Sequence, residues 1–152
     1  MLNVKDIRSN PTEYNWEYIC ANEVMSEELI IELQDYVDWY AISSEQVLSE
    51  KFIQDNQDKV DWVSISIDQI LSEKFIRDNQ DKVNWSGISS DQILSEDFMR
   101  EFFDKLDIEW ISSNQEMSKE FIAEFADKLD FNALIRNENL SYDVKQFCKT
   151  FA

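Results

Sequence analysis

Residues 46–62, QVLSEKFIQDNQDKVDW, return 23 residues later as residues 69–85, QILSEKFIRDNQDKVNW, with three of the seventeen positions changed. A period this short and this strict marks a chain built from stacked copies of one small unit. Outward from this pair the register holds. Trp16, Trp39, Trp62 and Trp85 stand 23 residues apart, and the same step lands on Ile108 and Phe131. With that residue as position 1, position 4 is Ile19, Ile42, Ile65, Ile88, Ile111 and Leu134, and position 10 is Met25, Leu48, Leu71, Leu94, Met117 and Leu140. Position 14 is Leu29, Phe52, Phe75, Phe98, Phe121 and Val144, and position 22 is Val37, Val60, Val83, Leu106, Leu129 and Ala152. The chain therefore reads as an arm, residues 1–15, and a repeat domain, residues 16–152, with units starting at 16, 39, 62, 85, 108 and 131.

Two polar columns say what each unit is. Position 11 is serine in every unit (Ser26, Ser49, Ser72, Ser95, Ser118, Ser141), ahead of apolar residues at 14, 15, 18 and 22. A serine in that place accepts from an orphan backbone N–H and opens a helix. The residue before each position 1 is Asn15, Asp38, Asp61, Asn84, Asp107 or Asp130, again a capping type each time. The spacing predicts a short helix A over about positions 1–8 and a longer helix B over about 11–22. Helices that short gain their stability from stacking, so the expected fold is an all-α solenoid of about six hairpins.

The runs DKVDW, DKVNW, QVLSEKFI and QILSEKFI resemble short tandem helical repeats that recur in proteins of large DNA viruses and phages. The likeness covers residues 16–130. It fades in the last unit, where Arg136, Asn137 and Tyr142 replace the pattern and Phe147, Cys148 and Phe151 read as a terminal cap. It implies an architecture and a viral or mobile-element origin, and no chemistry.

Composition narrows the function. The 152 residues include one glycine (Gly87), one proline (Pro11) and no histidine, with 32 Asp and Glu against 14 Lys and Arg, a net charge of −18. A single glycine excludes folds and phosphate loops that need positive φ or close backbone approach. The charge opposes direct binding of nucleic acid or of an anionic membrane. No apolar run is long enough to span a bilayer and the first residues carry no hydrophobic signal segment, so a cytoplasmic, monomeric protein is expected. Cys20 and Cys148 read as reduced thiols in packed slots.

No constellation for catalysis stands out. The serine column is explained as caps, neither cysteine has a base beside it in sequence, and no calcium-type loop is present, so no catalytic residue, cofactor or metal is expected. Acidic pairs such as Glu28 with Glu32 read as a solvated face. The aromatic columns suit core packing better than a base-stacking platform, because they share their spacing with the aliphatic ones. The glutamines at position 8 (Gln46, Gln69, Gln92, Gln115) are expected to bond the free carbonyls that end helix A, or one another across the stack.

What remains is the acidic surface. Position 17 is Glu32, Asp55, Asp78, Glu101 and Glu124; position 20 is Asp35, Asp58, Asp81, Asp104 and Asp127. Both lie off the apolar stripe and should align as two exposed ladders. By unit, the net charge of the first five repeats runs −7, −3, −1, −4 and −4, so the first unit is the expected hot region. Lys59, Lys82, Lys105 and Lys128 follow four residues after position 17, an order that neutralises one ladder in part. Residues Glu27, Glu28, Glu32, Asp35, Asp58, Asp81, Glu101, Asp104, Glu124 and Asp127 are the expected partner-binding face. Two functions compete: a mimic of nucleic acid that blocks the basic groove of a restriction- or CRISPR-type nuclease, similar as a class to acidic phage inhibitors, and a general protein-binding scaffold. Asn56 and Asn79 face the apolar stripe at position 18, and are expected to pair with each other or to be exposed, leaving the centre looser or opening a polar groove there.

Overall fold

Each repeat folds as two short helices because every one of its helix starts carries a side-chain cap. The computed structural model describes residues 4–151. Among these there are thirteen α-helices and no strand. The arm holds α1 (Val4–Ser9) and a 3-10 turn (Pro11–Glu13). The A helices are α2 (Trp16–Asn22), α4 (Trp39–Glu45), α6 (Trp62–Asp68), α8 (Trp85–Asp91), α10 (Ile108–Asn114) and α12 (Phe131–Arg136). The B helices are α3 (Glu27–Glu32), α5 (Glu50–Asp55), α7 (Glu73–Asp78), α9 (Glu96–Glu101), α11 (Lys119–Glu124) and α13 (Tyr142–Cys148). All six position-11 serines accept from the N–H three residues on, as in Ser49 from Phe52 and Ser118 from Phe121, both at 3.1 Å. The Asp and Asn column caps the A helices in the same way, with Asp61 accepting from Ser64 and Asn84 from Gly87, both at 2.8 Å. No described residue, Gly87 included, has a positive φ, so the chain turns without glycine.

The chain divides between Ile70 and Leu71 into two compact units. In the first, α2 packs on α4 and α4 on α6, while Ile7 of α1 is buried. In the second, α8 packs on α10 and α10 on α12, with α13 against both α11 and α12. Both are stacks of helical repeats in which A lies on A. The apolar columns form each core: Ile42, Ile53 and Ile65 in the first unit, and Ile88, Phe98, Ile111 and Phe121 in the second, have no solvent exposure. The arm continues the register, since α1 falls at positions 12–17 of the same 23-residue count. Ile7 falls at the buried position 15 and Arg8 at position 16.

Two expectations need correction. Helix B is regular only over positions 12–17 in the first five repeats, not 11–22. Positions 18–22 form a hydrogen-bonded turn, in which the N–H of Val60 donates to Asn56 at 3.2 Å and that of Leu106 to Phe102 at 3.2 Å. Ending the helix there frees the position-19 carbonyl, and the next position-1 indole takes it: Trp16 Nε1 donates to Pro11 at 2.7 Å, Trp39 to Gln34 at 3.3 Å, Trp62 to Gln57 at 3.0 Å and Trp85 to Gln80 at 3.0 Å.

Asn56 and Asn79 are neither exposed nor paired with each other. Each is buried and turns its amide back on its own helix, Asn56 Nδ2 donating to Phe52 at 2.9 Å and Asn79 Nδ2 to Phe75 at 3.0 Å. A four-residue return to a carbonyl left over at a helix end satisfies the amide locally. The neighbouring Ile53 and Ile76 are fully buried.

At the end of the described residues Phe131 and Phe147 meet Phe151 with ring centroids 5.0 and 5.1 Å away, and Cys148 is buried. Ala152, the last residue of the position-22 column, lies outside the described residues.

Candidate functional site

The surface differs from the interior in which polar columns have partners, and the interior column shows the rule. Gln46 Nε2 donates to the carbonyls of Cys20 at 2.6 Å and Glu23 at 2.9 Å, and its Oε1 accepts from Met25 N–H at 2.9 Å. Gln69 repeats the pattern on Ser43, Gln46 and Leu48, and Gln115 on Ser89, Gln92 and Leu94. Each glutamine thus closes the end of the preceding A helix, as expected of it. In the last repeat, where no glutamine stands at position 8, Asn137 at position 7 reaches Ser112 and Gln115 at 3.0 and 2.9 Å. Helix α12 is one residue shorter, and a shorter amide starting one residue earlier covers the same carbonyls.

Position 5 works in parallel. Ser43 and Ser89 donate to the carbonyl four residues back and accept the N–H of Asp61 and Asp107 at 2.9 Å. Cys20 fills that slot in the first repeat. Burial pushes its thiol pKa up, and the Asp38 N–H lies near enough to oppose the shift. Burial also raises the Cys148 thiol. Both are free and shielded.

The position-17 ladder is exposed, and every member is ion-paired. Arg8 meets Glu32 at 2.8 Å, Lys51 meets Asp55, Lys74 meets Asp78, Arg77 meets Glu101 at 2.7 Å and Arg100 meets Glu124 at 2.8 Å. The Arg77 guanidinium holds the Glu101 carboxyl below the usual carboxylate range. The bases are not the lysines four residues downstream. Lys59 and Lys105 instead reach the Gln34 and Gln80 amides of the preceding repeat and lie 5.3 Å over the Trp39 and Trp85 rings. Lys128 sits 5.1 Å over Phe103. An ammonium over one ring face, with Phe52 or Phe98 against the ring, makes the tryptophan column packing surface and not a stacking platform.

The position-20 ladder is the opposite case. Asp35, Asp58, Asp81, Asp104 and Asp127 are all exposed and make no ion pair or side-chain hydrogen bond among the described residues. The acid-rich first repeat is thinned by internal use. Glu27 accepts the Ser49 N–H at 2.6 Å, Glu32 is paired, and Asp38 caps α4. The carboxyl of Glu28 lies below its ordinary range because its own N–H and the Ser26 hydroxyl bond it.

Sequence reasoning missed the inter-repeat job of position 12. Glu73 and Glu96 likewise accept the Ser95 and Ser118 N–H groups, each at 2.6 Å. It also passed over position 9, in the connector between helices A and B, where Val24, Val47, Ile70 and Ile93 are 94–96% exposed. The signal was a β-branched aliphatic at one fixed place in four successive repeats, off both helical stripes. Among the described residues no group of three or more Cys, Asp or Glu side chains is arranged to hold a metal ion, and no helix is long and apolar enough to cross a membrane. No protein-family model matches the chain, and neither does any curated protein or solved structure with which it was compared.

Proposed function

We propose that this chain is a non-enzymatic acidic binding protein that engages the basic surface of another protein through its position-20 carboxylates. The observation behind this reading is the contrast between the ladders: position 17 is neutralised in place, while position 20 carries one unpartnered, exposed aspartate in each of five repeats. Stacked helices lie about 8–10 Å apart, so free charges recur within each unit at roughly that interval. A single nucleic-acid strand carries one charge per about 3.4 Å. The free ladder therefore suits point contacts with Lys and Arg side chains better than imitation of a continuous phosphate track.

A nucleic-acid enzyme as the partner is the specific form of the proposal, favoured by the net charge of −18 and by steering of an acidic body into a basic groove. DNA cleavage by restriction and RNA-guided nucleases, measured while the chain is titrated in at about 50 and 500 mM salt, tests it. Inhibition that weakens at high salt, is relieved by competitor DNA and is lost in the variant with all five aspartates changed to Asn supports it. Inhibition that survives those five changes removes the ladder from the contact. A general interaction scaffold is the second reading, favoured by the exposed aliphatic residues of the connectors.

A further inference from the structure

In the unit ending at Ile70, position 9 is occupied by Val24, Val47 and Ile70, which are 94%, 95% and 96% exposed. Nothing in the core needs them there. They sit in extended connectors: the preceding residues Glu23, Gln46 and Gln69 have φ between −92° and −116° and ψ between 139° and 149°. Neither the N–H nor the C=O of Val24, Val47 or Ile70 is engaged in a hydrogen bond. A recess of about 180 Å³ opens between the first two connectors, lined by Val24, Met25 and Val47 together with Glu23 and Glu45. A soluble chain that repeats a fully exposed β-branched residue at one edge, beside a recess and unused backbone groups, presents a docking edge.

We infer that this edge receives an extended, basic segment of a partner protein, lying along the stack with one apolar residue for each repeat. The inference rests on the reading of the chain as a binder of basic proteins, and it adds a place and a ligand shape. The charge decides against a second copy, since the body carries −18 and the edge itself has exposed Glu45 and Asp68 two residues before Val47 and Ile70. The spacing decides the conformation. A polyproline-type chain brings every third side chain to the same face at about 9.3 Å, which matches the roughly 8–10 Å between stacked helices, whereas same-face residues of a β-strand recur at about 6.6 Å. Side chains at i, i+3 and i+6 then meet Val24, Val47 and Ile70, and Lys or Arg between them faces Glu45 and Asp68.

A display library of random twelve-residue peptides, panned against the full chain, tests this. Enriched peptides are expected to carry apolar residues three apart with Lys or Arg between them. They should lose at least tenfold in affinity for the V24S/V47S/I70S variant, whose changes lie at the surface, while its circular dichroism and melting curve stay as in the parent. They should bind the D35N/D58N variant within about twofold. Peptides that bind the triple-serine variant equally well, peptides with no basic enrichment, an absence of enrichment, or a dimer of the chain dissolved by the three serines would each overturn the assignment. Peptides lost with D35N/D58N and indifferent to the serines would overturn it while leaving the position-20 reading in place.

Discussion

The glutamines of position 8 and the aspartates of position 20 recur with the same 23-residue period, yet one column is buried and saturated with hydrogen bonds while the other is exposed and has none. Between these extremes lies position 17, exposed but paired. Periodicity alone says that a residue is part of the unit. Whether it holds the unit together or faces a partner depends on what the neighbouring repeat places opposite it. The difference also shows why net charge overstates available charge. Carboxylates at position 12 are spent on the backbone of the next repeat, those at position 17 on bases, and those before position 1 on caps.

Substitutions along these columns should spread over a wide range. The largest effect is expected for Gln115→Leu, which leaves the Ser89 and Gln92 carbonyls and the Leu94 N–H buried without partners. At about 1–3 kcal/mol for each group, a loss of roughly 3 kcal/mol or more should appear in urea unfolding. Ser89→Ala strands only the Asp107 N–H and should cost about 1–2 kcal/mol by the same measurement.

Glu96→Gln comes next, at about 1 kcal/mol near neutral pH. Burial opposes the charge of Glu96, but the Ser118 N–H and hydroxyl together with Arg100 outweigh it, so its carboxyl lies below the ordinary value. A lowered folded-state value means that the contribution is complete above the unfolded carboxylate range, about pH 4.5, and is lost as pH falls through the lowered value. The variant should therefore show a flatter decline of stability in acid than the parent. An unchanged acid slope would detach Glu96 from that clamp.

Cys20→Ser should raise the melting temperature slightly, because a hydroxyl accepts the Asp38 N–H better than a thiol does, as Ser43 and Ser89 do for their own repeats. Asp58→Asn should change stability least of all. If it lowers the melting temperature as far as Ser89→Ala does, the contrast between the columns fails.

The repeat period, both cap columns and the apolar stripes were legible because each depends on a local rule: a Ser, Asp or Asn before an apolar run, and a fixed spacing along one face. The glutamine bonds were legible in outline, since helix A must end and its carbonyls need donors. The end of helix B was not, because no glycine or proline marks positions 18–22, and α9 and α11 stop at position 17 ahead of Ile108 and Phe131 as the others do ahead of tryptophan. The pairing of position 17 was misassigned because contacts between repeats decide it. Local spacing favours Lys59 and Lys105 as its partners, but a tryptophan face of the same repeat and a glutamine amide of the preceding one compete for each ammonium group. Arg77 and Arg100, one residue before the ladder, instead reach 24 residues forward.

The glutamine column also gives the stack a direction. Every closing amide reaches backward, so a repeat is finished by its successor and does not finish itself. Removing residues from the C-terminal side uncovers raw carbonyls, as deleting α12 would at Ser112 and Gln115, whereas trimming from the front merely returns an amide to water. Growth by duplicating a 23-residue unit anywhere within a stack restores every such bond automatically. In the last described repeat Asn137 makes the same backward reach, while Phe131 and Phe147 gather against Phe151.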